Sequence, residues 1–280
     1  MEIIAGTTAT TMATQSITPK GLKFDPPFSL LHSQSYAPIR TSLQYSIISR
    51  KPRITTRSIA DDTTSNTVTK VAAEDPSFAV KKAADISTEL KGTSVFLVGM
   101  NNAIKTHLGN FLADALRYYY FDSDSLVFEA AGGESAAKAF RESDEKGYQQ
   151  AETEVLKQLS SMGRLVVCAG NGAVQSSANL ALLRHGISLW IDVPPGMVAR
   201  MDHSGFPESE VLPQLFALYK EMRDGYATAD ATVSLQKVAS QLGYDDLDAV
   251  TTEDMTLEVL KEIEKLTRKK KMMEEAARPF

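Results

Sequence analysis

Gly99-Met100-Asn101-Asn102-Ala103-Ile104-Lys105-Thr106 follows directly on the apolar run Val95-Phe96-Leu97-Val98. This is the order of a strand running into a phosphate-binding loop, G-x-x-x-x-G-K-[ST]. In such a loop the Lys reaches the outer phosphates, the Ser or Thr holds magnesium, and backbone N–H groups form an anion nest at a helix N-terminus. Gly99, Lys105 and Thr106 stand in their places, but Ile104 occupies the glycine position before the lysine. Asn102 occupies a second position that such loops often give to glycine. A β-branched side chain at a glycine position is strained where the backbone needs positive φ, and it crowds an approaching phosphate. The loop therefore predicts weak or absent binding of ATP and magnesium, and no cofactor is expected.

Outward from the loop, strand and helix patterns alternate. A helix is expected over 106–117, a strand over 119–121, a helix over 145–160 and a strand over 165–168. A helix near 178–185 and a strand over 187–193 follow, then a helix opened by Pro194-Pro195. After a variable segment, 202–212, come a helix over 213–226, a last strand over 232–235 and a closing helix over 255–277. Five short strands separated by helices specify a three-layer α/β/α fold with a five-stranded parallel sheet. Ligands of such sheets gather beyond the carboxyl ends of the strands. The loop at Gly99, the acids Asp122 and Asp124, and the glycines Gly170 and Gly172 each follow a strand and line one crevice in this reading.

With these motifs together, the chain resembles the shikimate kinases, and within them the plant plastid shikimate kinase-like proteins, over about residues 93–239. The resemblance implies the P-loop kinase fold of the nucleoside monophosphate kinase type. It also implies ATP and magnesium at Gly99, Lys105 and Thr106, and magnesium and shikimate hydroxyls at Asp122 and Asp124. Gly170-Asn171-Gly172 matches a triple-glycine turn that contacts shikimate, its centre replaced. The departures are more informative. The stretch Asp144-Glu145-Lys146-Gly147-Tyr148-Gln149-Gln150-Ala151-Glu152 matches G-E-x-x-F-R-x-x-E with Gln149 in place of the arginine that holds the shikimate carboxylate. An amide has neither the charge nor the fork of a guanidinium, and Arg141 lies outside the aligned position. The family's lid donates a further arginine, yet no Arg or Lys occurs between Arg200 and Lys220. An R-x-x-x-Y element reads Met222-Arg223-Asp224-Gly225-Tyr226, with the arginine displaced by one residue, about 100° around a helix.

The ends of the chain have other compositions. Residues 1–60 are rich in Ser and Thr and hold seven Lys or Arg against only Glu2 and Asp25, as a plastid transit peptide does. Domains are expected as transit peptide 1–60, linker 61–91 with a short helix over 79–90, kinase-like domain 92–245 and helical extension 246–280. Loss of the leader removes seven positive and two negative charges and moves the net charge from −5 to −10. That balance argues against nucleic-acid binding. The run Arg268-Lys269-Lys270-Lys271, with acids nearby, reads as a solvated helix face. No apolar run reaches the length of a membrane span, and the single Cys168 and four His show no metal-ligand spacing.

Phosphoryl transfer depends on positioning and on cations facing the developing charge, and losing one such group costs about 2–4 kcal/mol in the barrier. With the nest, the carboxylate arginine, the lid arginine and the helix arginine all altered, the sequence predicts a protein without catalytic residues. Gly99, Lys105, Thr106, Asp122, Asp124, Gly170 and Gly172 are then vestigial positions, Thr106 and Asp122 being those of a lost magnesium, with Lys105, Thr106, Asp122 and Asp124 either remnants that the fold tolerates or parts of a site for another ligand or partner. Its partner is an unidentified plastid protein or metabolite, and the resemblance implies a part in chloroplast biogenesis. The alternative is an active kinase on another small substrate, using Lys105, Thr106 and Asp122.

Overall fold

A computed structural model describes residues 76–201 and 207–278 of the 280-residue chain. The expected transit segment, 1–60, and the first part of the linker lie outside the described residues.

Four runs of four residues and one of six build the sheet: β1 (Val95–Val98), β2 (Tyr119–Asp122), β3 (Leu165–Cys168), β4 (Ile187–Asp192) and β5 (Ala231–Ser234). All pairings are parallel and the order is β2-β3-β1-β4-β5. β1 and β3 are buried along their whole length, as continuous apolar runs must be when helices cover both faces. β1 lies between β3 and β4, so the chain leaves it in one direction to form β2 and β3 and in the other to form β4 and β5. The crevice beyond the ends of β1 and β3 is thus the switch point of the sheet, where ligands of such folds bind.

α1 (Pro76–Leu90) begins upstream of the expected short helix, and with α2 (Ala103–Leu116) and α10 (Thr252–Ala276) it packs as one cluster. Ala79, Ala83, Ile86 and Leu90 of α1 are buried, and Lys82 forms an ion pair with Glu264 of α10 at 2.9 Å. Packed structure therefore starts within the expected linker, ahead of residue 92, and both the end of the linker and the C-terminal helix belong to the core. Thr251 and Asp254 form a reciprocal capping box that starts α10.

Three helices go unanticipated by the apolar pattern. α3 (Ser123–Ala131) starts at the end of β2, capped by the Asp122 side chain, and α4 (Glu134–Ser143) buries only Ala137. Gly132 and Gly133, both at positive φ, separate the two. α9 (Leu235–Leu242) starts where strand had been expected at Leu235, because Leu235, Val238 and Ala239 repeat at helical spacing and are buried. α5 (Glu145–Ser160), α6 (Ser177–Leu183) and α7 (Pro195–Met201) fall where expected. α8 (Glu208–Tyr226) starts five residues before the expected 213 and carries Pro213 inside it. The carbonyl that Pro213 leaves without a donor is that of Ser209, which is exposed, so water can serve it.

Candidate functional site

The loop after β1 is closed by its own side chains. Gly99 has φ +134°, and a Cβ there would lie 2.5 Å from the carbonyl oxygen of Ile191, so only glycine fits. α2 starts at Ala103, three residues earlier than expected, with Asn102 in extended conformation as its N-cap. The Asn102 Oδ1 accepts from the backbone N–H of Lys105 at 2.9 Å, occupying one of the donors that an anion at this helix end would use. Ile104 lies in the first helical turn and is not among the positive-φ residues. The strain expected at this position is therefore absent, because the early helix start gives Ile104 ordinary helical backbone; it is a half-buried side chain at the rim of the nest.

Lys105 is buried and points inward. Its Nζ donates to the carbonyl of Gly99 at 2.8 Å, to that of Ala169 at 2.8 Å and to Asn101 Oδ1 at 2.7 Å. An ammonium has three protons, and all three have protein acceptors. The bonds tie the end of β1 to the end of β3 across the switch point. Burial pushes the Lys105 pKa down, with Cys168, Asp124 and Asp122 opposing. Thr106 Oγ1 turns back to the carbonyl of Asn102 at 3.3 Å.

Asn101 passes the contact on. Its Nδ2 donates to Asp124 Oδ2, so ammonium, amide and carboxylate form a chain. Asp122, by contrast, spends Oδ1 on the N–H of Ser125 as the cap of α3. Asp124 lies against Gly170: a Cβ there would come within 1.7 Å of Asp124 Oδ1. A Cβ on Gly172 would come within 2.3 Å of Glu152 Oε2. Between them, Asn171 Oδ1 accepts from the Tyr226 hydroxyl at 3.1 Å. The two glycines of the turn thus each seat a protein carboxylate. Burial raises the pKa of Asp124, with Lys105 and Asn101 opposing. Burial, then the neighbouring Asp124, raise that of Glu152 to about 7, and Arg141 opposes.

Two hollows adjoin this cluster and share Glu152, Gly172 and Gln175. One, of about 430 Å³, is lined by Asn101, Asp124, Arg141 and Tyr148 among others. There the guanidinium of Arg141 lies 5.6 Å over the Tyr148 ring, so a residue discounted on sequence position does reach the site. The other, about 880 Å³, runs between α5 and α8 and is lined by Gln149 and Met222. Gln149 is exposed and donates to Glu145 at 3.5 Å; Met222 is buried, whereas Arg223 is exposed. Gly99, Lys105, Asp124, Gly170 and Gly172 are thus brought together at the crevice. Asn101 and Glu152 are site residues that the sequence reading passed over, and Arg141 is one that it set aside; an Asn pair in place of loop glycine is the signal for the first.

A lysine-bearing loop after β1, with acids after β2, at the switch point of a 2-3-1-4-5 parallel sheet defines the P-loop small-molecule kinase class. The shikimate kinase family model matches residues 101–205. The chain is 58% identical over 248 residues to "Probable inactive shikimate kinase like 1, chloroplastic" of Arabidopsis thaliana, covering 87% of this chain and 88% of that one. It is 35% identical over 218 residues to "Shikimate kinase 3, chloroplastic" of rice, covering 73% and 76%. Among solved structures, shikimate kinase from Acinetobacter baumannii in complex with shikimate aligns with TM-score 0.53 at 23% identity, covering 64% of this chain and 96% of that one. That last likeness shows the fold. The chain belongs to the shikimate kinase family.

Proposed function

We propose that the protein is a non-catalytic member of its family that works in the plastid by binding. The observation that carries this reading is the Lys105 ammonium, whose three protons are held by Gly99, Ala169 and Asn101. A lysine so held gives a proton to a phosphate only by breaking one of these bonds, and for the buried carbonyls of Gly99 and Ala169 that costs about 1–3 kcal/mol for the acceptor left behind. Asn102 fills part of the nest, and Thr106 bonds back to its own helix. Magnesium in kinase sites is held by one or two protein groups together with substrate phosphates. With part of the phosphates' cradle taken, Thr106 and Asp122 alone do not suffice to hold it.

The carboxylate subsite supports the same reading, since Gln149 and Met222 offer no cation. An active kinase with another substrate would still need Lys105 turned toward the crevice mouth. A plastid address is supported by the acid-poor residues 1–60 and by relatives named chloroplastic, and a part in chloroplast biogenesis is what the resemblance implies. Among the described residues, no helix is long and apolar enough to cross a membrane.

Calorimetric titration of the purified protein with Mg-ATP, alongside a phosphate-transfer assay that includes shikimate, tests the proposal. No turnover is expected, and ATP binding is expected to be weak or absent. Tight binding with turnover overturns the reading.

A further inference from the structure

We propose that the pole of the sheet opposite the crevice docks on an anionic lipid bilayer, whether or not the crevice turns over nucleotide. Lys91, Arg117 and Arg164 lead into β1, β2 and β3, which are neighbours in the sheet. Their turns are joined: the Arg164 N–H donates to the carbonyl of Gly92 at 2.8 Å, and the Tyr119 N–H donates to the Arg164 carbonyl at 3.0 Å. All three are left-handed, at φ 50°, 57° and 61°, and they are the non-glycine residues with positive φ among the described residues. That conformation suits Gly or Asn, so charge is kept here against the backbone's preference. Cations near helix ends often serve the last carbonyls. None of these three side chains donates to a carbonyl or a carboxylate among the described residues; Arg164 lies 5.7 Å over the Tyr118 ring.

α10 brings a second group of cations to the same pole. Lys82 pairs with Glu264 at 2.9 Å and the Thr267 hydroxyl donates to Glu89 at 3.3 Å, so α1 and α10 run in the same direction and α10 continues past the end of α1. Everything from Arg268 to Arg278 is exposed. The acids that the sequence sets near this basic run are spent on other partners: Glu264 takes Lys82 and Arg268, and Glu262 takes Lys265 at 2.8 Å. Lys269, Lys270 and Lys271 are left without an ion pair among the described residues. With Arg278, they outnumber Glu274 and Glu275 on the projecting end. Asp230, the acid ahead of β5, is turned to the N–H and hydroxyl of Ser188.

A third observation does not depend on charge. The large apolar side chains most exposed among the described residues are Met272, Met273 and Tyr119, at 69%, 64% and 59%, and all three lie at this pole. An anionic bilayer offers phosphates at its surface and acyl chains just beneath, so it meets both kinds of group at once. Its flatness also suits groups spread over three strand starts and a helix end. An acidic protein segment would answer the cations and leave the methionines in water.

Flotation of the full-length protein with vesicles of phosphatidylglycerol and phosphatidylcholine in equal parts, and with phosphatidylcholine alone, tests the assignment. Binding to the first and not the second is expected, weakening as salt is raised. Because residues 1–60 are themselves rich in cations, a form lacking them but retaining every described residue is run alongside, with circular dichroism confirming its fold. Lys269→Gln, Lys270→Gln and Lys271→Gln together are expected to weaken binding about tenfold or more. Lys91→Asn with Arg117→Asn, residues that accept the left-handed backbone, is expected to do the same with the urea midpoint unchanged or raised. Met272→Ser with Met273→Ser is expected to weaken vesicle binding as well. No flotation, equal flotation with phosphatidylcholine alone, flotation lost with residues 1–60, or affinity unchanged in the cation variants overturns the proposal. Vesicle binding untouched by the methionine changes, with equally tight binding of soluble polyglutamate, points to an acidic protein partner and overturns it too. Mg-ATP turnover, assayed separately, bears on the non-catalytic reading alone.

Discussion

Replacing Lys105 by methionine keeps the length of the side chain and removes its three donors. Asn101 is exposed, so water can take over its Oδ1. The carbonyls of Gly99 and Ala169 lose their buried donor, at about 1–3 kcal/mol each, or about 2–6 kcal/mol together. Part of this returns because an ammonium no longer has to be kept out of water, a burden shown by its lowered pKa. Asp124, joined to the ammonium through Asn101, loses its nearest compensating charge in turn. The net expectation is a loss of about 2 kcal/mol. With a urea slope of about 2 kcal/mol/M, the unfolding midpoint followed by circular dichroism falls by about 1 M. A lysine kept for nucleotide would behave otherwise, its loss changing ligand affinity and little else. A midpoint within about 0.2 M of the parent, with a clear drop in Mg-ATP affinity, would refute the structural role assigned here.

Glu152 holds its proton up to about pH 7 in the folded chain, against an ordinary value of 4.5. The folded state therefore binds more protons across that window, so this group's contribution is present below about pH 4.5 and lost as the pH rises through 7. Glu152→Gln should flatten that part of the stability–pH curve, and an unchanged slope in urea melts at pH 5, 6 and 7.5 would count against the assignment. Gly99→Ala meets a backbone oxygen at positive φ and should cost about 3 kcal/mol. Gly170→Ala meets only the movable end of Asp124 at ordinary φ, so it should cost less and show mainly as displacement of Asp124 from Asn101 in a crystal structure of the variant. Restoring Asn102→Gly, Ile104→Gly and Gln149→Arg together should not return full shikimate phosphorylation in a coupled assay, because Met222 and the arginine-free 201–219 region remain.

The sheet is legible in the sequence because β1, β3 and β4 are apolar runs whose burial on both faces leaves no polar alternation to confuse them. The crevice residues are legible for the same reason, since strand ends locate them. α4 is not, as a helix that buries one alanine carries almost no apolar period. The destination of Lys105 is also hidden: its acceptor at Ala169 lies 64 residues away, and only the pairing of β1 with β3 brings that carbonyl within reach. The seating of Asp124 and Glu152 on glycines that the family resemblance reserves for a substrate is equally a product of folding, because α3 and α5 approach the turn from different parts of the chain.

The three bonds of Lys105 bear on the history of the chain. Once Asn101 and Asn102 had taken up the ammonium and the helix N–H, each became part of what fixes Lys105, whose bonds to Gly99 and Ala169 hold the ends of β1 and β3 together. A single step back to glycine at either position gives up a contact at once, and it leaves Gln149, Met222 and the stretch without Arg or Lys between Arg200 and Lys220 unchanged. The change works as a ratchet, and on the proposed reading the lysine behind it is kept for what it holds together in the fold.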